Sequence, residues 1–533
     1  MPRAIVIGAG HNGLVCAAYL GRAGFDVTVL EQADQPGGCI LTEERVPGYR
    51  MNIGAIEIGG IVDSGIVDEL GLRDVGLRLI DQPQTAVIHT PGATLAFHRS
   101  LDATTTHISD VLSPAAATEW RAFAGLADAV WGLFGLVDDV PPPAFGDLAR
   151  LAQDGYGERG NAIFEAVLSP AQAVLATHLA DPHLRTAAAA FGAHAEIPPW
   201  LPGSGVFAFL LPGGHGGTGA RPVRGSGGLI DALVTVIERR GGRVRCAAPV
   251  SGVRLSEVGV AGVTLASGEE VDADVVVSSV DVGRLAAMLP TDDRTEPIRR
   301  AAKRTHGGMY NVAELKVDLA LDGTPAAALG GPGDPGALRM LAPDADVGAA
   351  FRAILDGRLP DPMPVMFALP SVTDPTLAPE GRAVGWVSAF VPARRADGRA
   401  WPAANDEAAR AALATVERFV PGTLARITDS VVTGPAEWEA RTGNPGGNPN
   451  HLDLTLDQML GSRPAAGLAR YETPVRGLYL SGAGTHPGGG VTGQPGRNTA
   501  RAILGDGGGR SVVSSLRLLD AARGYMRMRG AIR

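Results

Sequence analysis

The sequence predicts an α/β protein built on a Rossmann-type dinucleotide-binding domain that the chain leaves and re-enters around an inserted α+β domain. Three observations carry this. Near the N-terminus the β-branched run Ile5-Val6-Ile7 enters Gly8-Ala9-Gly10-His11-Asn12-Gly13, and the helix-like stretch Leu14-Val15-Cys16-Ala17-Ala18-Tyr19-Leu20 follows. That is the strand, turn, helix order a dinucleotide fingerprint requires. A second strand, Val27-Thr28-Val29-Leu30, ends on Glu31, where a carboxylate accepts hydrogen bonds from a ribose diol and repels a 2′-phosphate. Near the other end, Ser481-Gly482-Ala483-Gly484-Thr485-His486-Pro487-Gly488-Gly489-Gly490-Val491-Thr492 forms a second glycine-rich loop. The two loops read as the two ends of one site.

Each residue of the first loop has a separate reason. Gly8 permits the tight turn, Gly10 lets backbone N–H groups approach a pyrophosphate at the positive helix end, and Gly13 lets helix and strand pack closely. Gly37-Gly38, a short polar segment after Glu31, adds another close backbone approach. This extension of the fingerprint favours FAD over NAD.

Composition narrows the class. A chain of 533 residues exceeds one core, and 45% hydrophobic with 19% charged residues describes a globular protein. The net charge of −9 leaves no electrostatic footprint for nucleic acid. Cys16, Cys39 and Cys246 lack metal or redox spacing, so reduced thiols and a cytoplasmic location are expected, with no metal site. The first strand begins by Ala4, which leaves no room for a signal peptide. No run of about 18 apolar residues occurs, the length a spanning helix needs. The glycine, alanine and arginine content resembles that of a high-GC bacterial genome, so a bacterial source is expected.

Residues 110–190 carry helical periodicity, with Trp120, Phe123, Ala127, Val130, Trp131 and Phe134 at spacings of three and four. This stripe reads first as core and second as channel lining. From Gly227 to Glu238 the pattern is again helical and stops at Gly241-Gly242; strands follow at 244–246, 250–255, 262–265 and 271–278. Further on, candidate strands cover 310–317, 365–369 and 385–391, and a helix capped by Asn405 covers 406–419. The predicted partition is therefore a discontinuous FAD-binding domain of 1–80, 222–290 and 470–505. A substrate domain of 81–221 and 291–469 includes the helical insertion, and 506–533 forms a basic tail.

At this point a family resemblance is visible. The segments 5–38 and 225–279, together with Asn444-Pro445-Gly446-Gly447-Asn448, His451, Leu456-Asp457-Gln458, Arg463-Pro464, Thr473 to Leu480 and the loop from Ser481 to Gly493, resemble the phytoene dehydrogenase-like FAD-dependent oxidoreductases. That group includes carotenoid desaturases, carotenoid cis-trans isomerases and pyridine nucleotide-disulphide oxidoreductase domain proteins. The resemblance implies the glutathione-reductase-like Rossmann fold of the flavin amine oxidase and phytoene desaturase superfamily. It also implies removal of hydrogen from an apolar substrate, with hydride passing to the flavin. The cofactor-binding set is then Gly8, Gly10, His11, Asn12, Gly13, Glu31, Gly37, Gly38, Val250, Gly482, Ala483, Gly484, Gly489, Gly490, Val491 and Thr492. The last of these lead into a helix start whose dipole faces the flavin's pyrimidine edge.

Catalytic candidates come from position. His486 lies in the flavin loop, where its ring either contacts cofactor or substrate or braces the loop by hydrogen bonds. His451, Asp457 and Gln458 stand just before the flavin strand and either polarise or deprotonate substrate or fix the loop geometry. His215, between Gly214 and Gly216, reads as a solvated loop histidine. The leading functional reading is a desaturase or dehydrogenase of a polyene or lipid-like small molecule. A redox-neutral isomerase, an amine oxidase and a non-catalytic lipid- or prenyl-binding escort stand as rivals. The segment 110–221 is expected to cover a tunnel to the flavin. The tail, with Arg510, Arg517, Arg523, Arg527, Arg529 and Arg533 interleaved with apolar residues, reads two ways. It is a peripheral membrane or carrier-protein contact, or it docks on its own or a neighbouring subunit of a homo-oligomer.

Overall fold

Five short parallel strands, contributed by distant parts of the chain, form the sheet that positions the first glycine loop. Their order is Leu478–Leu480, Val275–Ser278, Arg3–Ile7, Asp26–Leu30 and Arg243–Arg245. The computed structural model describes residues 1–330 and 333–505. The tail 506–533, on which the membrane, carrier and docking readings rest, lies outside the described residues. The strand Arg3–Ile7 is apolar and buried from Ala4 onward because both faces of the parallel sheet are covered, one by helices and the other by the strands Val250–Leu255 and Val260–Leu265 with the helices Val282–Met288 and Glu296–Arg304. On one side lie the helices His11–Arg22, Gly227–Arg239 and Gln494–Ile503, so the first helix and the last described one share a layer. The last helix comes so near the first that a Cβ on Gly496 would clash with the Asn12 carbonyl.

The run expected as one strand over 271–278 is two. Glu270–Asp272 closes a small antiparallel sheet with Val250–Leu255 and Val260–Leu265, and Val275–Ser278 enters the parallel sheet. The break falls where Asp272 and Asp274 turn outward to Arg254 and Arg3.

A seven-stranded sheet forms the second layer, in the order Ile427–Thr433, Val312–Leu321, Ala383–Pro392, Val365–Ala368, Arg339–Leu341, Gln84–Thr90 and Ala93–His98. All its pairings are antiparallel except Arg339–Leu341 with Gln84–Thr90. One face, with Leu315, Val317 and Leu319 on the long central strand, packs on the helix Asn405–Phe419. That helix is not capped by Asn405, whose amide instead donates to Glu437. The opposite face carries Met340, Met366, Ala368 and Trp386 and packs against the helical segment 114–211. There the helix Pro114–Gly135 buries Trp120, Phe123, Val130 and Phe134, so the aromatic stripe is core. The two chain crossings between layers pair with each other, Leu79–Asp81 against Ala220–Pro222.

Candidate active site

The cleft at the end of the parallel sheet is lined by both glycine loops at once. Gly8, Gly10, His11, Asn12, Glu31, Gly37, Gly38, Val250, Gly482 and Ala483 all face it, with Cys39, Ser279, Arg284, Arg441 and His451. The helix His11–Arg22 starts at Gly10 with no side-chain cap, which leaves its first-turn N–H groups and the positive dipole end directed at the cleft. A Cβ on Gly10 would meet no protein atom within 4 Å; at Gly13 it would run into the Gly8 carbonyl and stand 3.2 Å from Ser279. Gly10 therefore keeps space for a ligand and Gly13 keeps the turn against the helix. Glu31 accepts from the Ala9 amide at 2.7 Å and the Ala33 amide at 3.0 Å, which fixes its carboxylate beside the loop with lone pairs left for a diol.

The remaining cofactor candidates flank the cleft. A Cβ on Gly484 would stand 3.5 Å from His451 Nδ1, and Gly489 abuts Asn450. The Gly490 backbone stands close enough to the His11 ring to oppose the effect of burial on it, so the second loop comes against the first. The Val491 carbonyl abuts Gly60, and the Thr492 carbonyl accepts from Ser64 Oγ at 3.0 Å.

These residues fit FAD. Around the cleft, His11 Nε2, Asn12 Oδ1, His451 Nδ1 and Ser481 Oγ are buried without a partner, and buried polar atoms of this kind require one. A pyrophosphate and ribityl chain supply acceptors and hydroxyls for them. Burial holds the His11 ring down at about 4 and the His451 ring at about 3, with Arg463 adding to the latter, so both are neutral imidazoles.

The structure separates the catalytic candidates. His451 lines the cleft in a left-handed conformation, φ 61°, packed against Gly482 and Gly484. His486 is buried away from it and braces the loop: its Nε2 bonds the Val137 carbonyl at 2.9 Å and its own carbonyl accepts from Tyr471 Oη at 3.2 Å. Asp457 has a side chain 69% exposed and pairs with His306 Nε2 at 3.3 Å. Gln458 is spent on the backbone, accepting from His306 N at 2.8 Å and donating to the His306 and Asp453 carbonyls. His215, expected in solvent, is instead held inside: Trp120 Nε1 donates to its Nε2 at 3.0 Å and its Nδ1 bonds the His98 carbonyl at 2.8 Å. The insertion closes over its loop, and that contact joins residues too far apart in sequence to form a pattern.

Sequence reasoning missed the hub of the site. Arg463 is fully buried and donates to the carbonyls of Asn450, Leu452, Asp453, Gln458 and Ala483. It thereby staples the loop carrying His451 to the flavin loop. Asp453 in turn accepts from Gly308 N, Met309 N, His306 Nδ1 and Asn448 Nδ2. The signal available was the Arg463-Pro464 motif, which carried the resemblance but no role.

The His486 brace has a pH signature. Burial holds its ring at about 4, against an ordinary 6.5. The folded state thus binds fewer protons than the unfolded chain, so the contribution is complete above pH 6.5 and fades as pH falls towards 4. His486→Gln is expected to be most destabilised near neutrality, with the deficit against wild type shrinking by about 3 kcal/mol on acidification. Urea unfolding across that range measures it; a constant deficit contradicts a neutral buried imidazole.

Comparison with known proteins agrees with this geometry. The family model described as flavin containing amine oxidoreductase matches residues 13–504. Pyridine nucleotide-disulfide oxidoreductase domain-containing protein 2 of Rattus norvegicus is 29% identical, over 94% of this chain and 93% of its own. The neurosporene-forming phytoene desaturase of Cereibacter sphaeroides is 27% identical, over 94% of each chain. A redesigned putrescine oxidase superposes with a TM-score of 0.62 at 16% identity, covering 96% of this chain and 99% of its own, a likeness of fold. The chain belongs to the flavin-containing amine oxidoreductase family. Within it, the protein is an FAD-dependent oxidoreductase resembling the phytoene dehydrogenase-like group. Among the described residues no helix is long and apolar enough to cross a membrane.

Proposed function

We propose that the protein dehydrogenates an apolar, polyene or lipid-like small molecule. The observation that carries this reading is a chamber of about 400 Å³ between the helix Val347–Leu355 and the sheet face turned to the insertion. Its inner walls are Ala190, Ala193, Met340, Met366, Phe351 and Phe390, and its mouth is charged, with Asp344, Asp346, Arg358 and Asp361. A chamber of this size whose inner wall is apolar apart from Ser388 suits a largely apolar ligand. A second cavity of about 290 Å³ adjoins it through Val347 and Phe351 and is covered by Pro199, Ser204, Phe207 and Ala208. Neither cavity shares a lining residue with the nucleotide cleft. The relatives named phytoene desaturase support the same substrate class. FAD supplies the two-electron acceptor; the chain's own residues hold the cofactor and exclude water from the apolar substrate.

Anaerobic mixing of the yellow holoenzyme with phytoene in detergent tests the reading, with putrescine as the amine control. Stoichiometric bleaching of the flavin by phytoene is expected. Turnover only after prior flavin reduction, with no net electron change, establishes an isomerase instead, and bleaching by the amine alone overturns the proposal. The chain from Ser481 to Gly505 contains no Tyr, Trp or Phe, which counts against an aromatic amine cage there.

A further inference from the structure

Two guanidiniums line the nucleotide cleft, and they are not in the same state. Arg441 is answered by Glu43, a carboxylate that also accepts from Gln35 Nε2 at 2.7 Å. Arg284 is half-buried, and among the described residues its guanidinium makes no hydrogen bond and no ion pair. Asp281 is committed elsewhere: one carboxylate oxygen caps the helix Val282–Met288, accepting from Gly283 N at 2.8 Å and Arg284 N at 3.1 Å. That cap fixes the Arg284 backbone and uses the helix's own first amides, so the side chain is what this element offers to the cleft.

The unpaired guanidinium is nevertheless held in one place. Arg284 Nη1 stands 1.3 Å from where a Cβ on Gly443 would lie, so the fork fills the space that a side chain at 443 would take. Gly443 ends the helix Pro435–Thr442 at φ 71°, and its neighbours Arg441, Thr442 and Asn444 line the same cleft. Arg284 thus reaches from one wall element of the cleft to another. Its place along the cleft is the adenosine end. The helix Val282–Met288 shares a core cluster with Leu30 and Val250, and Leu30 leads directly into Glu31, whose lone pairs suit a ribose diol. Ser279 and Val280, which lead into that helix, come within 3.7 Å of a Cβ placed on Gly8 at the tight turn. The diphosphate of FAD carries a negative charge on each phosphate, and the uncapped start of His11–Arg22 answers them with only about half a charge. An anion taken from water without a partner is costly, and a guanidinium fork takes phosphate oxygens two at a time.

We propose that Arg284 is a cofactor-binding residue whose guanidinium pairs with the diphosphate of FAD, and that Gly443 leaves the space in which it is held. The pairing adds a charge-assisted contact to the one made by the helix start. It acts on the adenosine diphosphate half of the cofactor, and it does not depend on which substrate the chamber takes.

ADP and adenosine separate the phosphates from the nucleoside. Calorimetric titration of the full-length protein freed of FAD is expected to show ADP binding tighter than adenosine. In Arg284→Met, ADP and FAD are expected to weaken about 10–100-fold, the range of a lost charge-assisted pair, with adenosine within about twofold of wild type. Arg284→Lys keeps the charge and loses the fork, so its affinities fall between those two. Added salt weakens FAD binding in the wild type and does so less in Arg284→Met. No preference for ADP in the wild type, equal weakening of ADP and adenosine in Arg284→Met, or ADP bound as tightly by that variant as by the wild type overturns the proposal. Phenylglyoxal, which adds to accessible guanidiniums, tests the same contact without a substitution. Peptide mapping of the FAD-free wild type is expected to find Arg284 modified, and ADP but not adenosine to protect it. Modification at an unchanged rate under saturating ADP overturns the proposal, whether or not the variants fold.

Discussion

Replacing Arg463 by methionine is expected to strip FAD from the protein and to lower its stability by about 4 kcal/mol or more. The side chain has no exposure and its donors satisfy five backbone carbonyls on two loops. Methionine fills similar volume but leaves these acceptors buried and unpaired, at about 1–3 kcal/mol each before relaxation. Relaxation moves the loop that carries His451 away from Gly482 and Gly484, which opens the cleft where both glycine loops converge. Arg463→Lys is not a rescue, since an ammonium offers three donors on a flexible stem in place of a planar fork. Burial already holds the guanidinium down at about 10, opposed by Asp453, so the site tolerates one cation only because the carbonyls converge on it. Flavin absorbance after desalting and urea unfolding measure both effects. A variant that keeps its flavin and unfolds within about 1 kcal/mol of wild type contradicts the role assigned to the staple.

The contrast between what the sequence revealed and what it concealed follows from the range of the forces involved. The first loop was legible because its demands are local: Gly8 adopts φ 97°, the helix begins within three residues, and Glu31 ends the adjacent strand. The closing loop was legible for the same reason, and its pairing with the first followed from there being one cofactor to share. Trp120, Phe123 and Val130 could be read as core because helical periodicity records which face is buried. The strand boundaries were less legible. Val312–Leu321 extends four residues past its expected end because Asp318 and Lys316, which look like surface residues, are buried against each other and Arg45.

The polar hub was illegible because its acceptors are backbone carbonyls. Any residue at 450, 452 or 483 presents the same carbonyl oxygen, so Arg463 leaves no complementary side chain in the sequence to find. His486 was placed in the right loop, and the choice between brace and contact depended on Val137, a residue of the insertion with no motif of its own.

Alanine substitutions at two glycines of one loop are expected to separate cofactor binding from folding. At Gly10 a Cβ meets no protein atom within 4 Å, and the backbone, φ −68° and ψ 163°, suits any residue. The added methyl enters only the space where the uncapped helix end faces the cleft. Gly10→Ala is thus expected to leave the unfolding free energy of the FAD-free protein within about 0.5 kcal/mol of wild type. Its affinity for FAD falls about 10²-fold, equivalent to roughly 3 kcal/mol. Gly13→Ala behaves in the opposite way. Its methyl is driven into the Gly8 carbonyl and against Ser279 at 3.2 Å, backbone and a strand end that cannot withdraw without unpacking Arg3–Ile7 from Val275–Ser278. The FAD-free protein itself is expected to lose about 1–3 kcal/mol from this overpacking, and FAD binding falls as a consequence. Flavin titration by fluorescence quenching and denaturant unfolding of the FAD-free forms read the two quantities separately. Equal stability losses in both variants would mean that the space in front of Gly10 is needed by the protein and not by the cofactor.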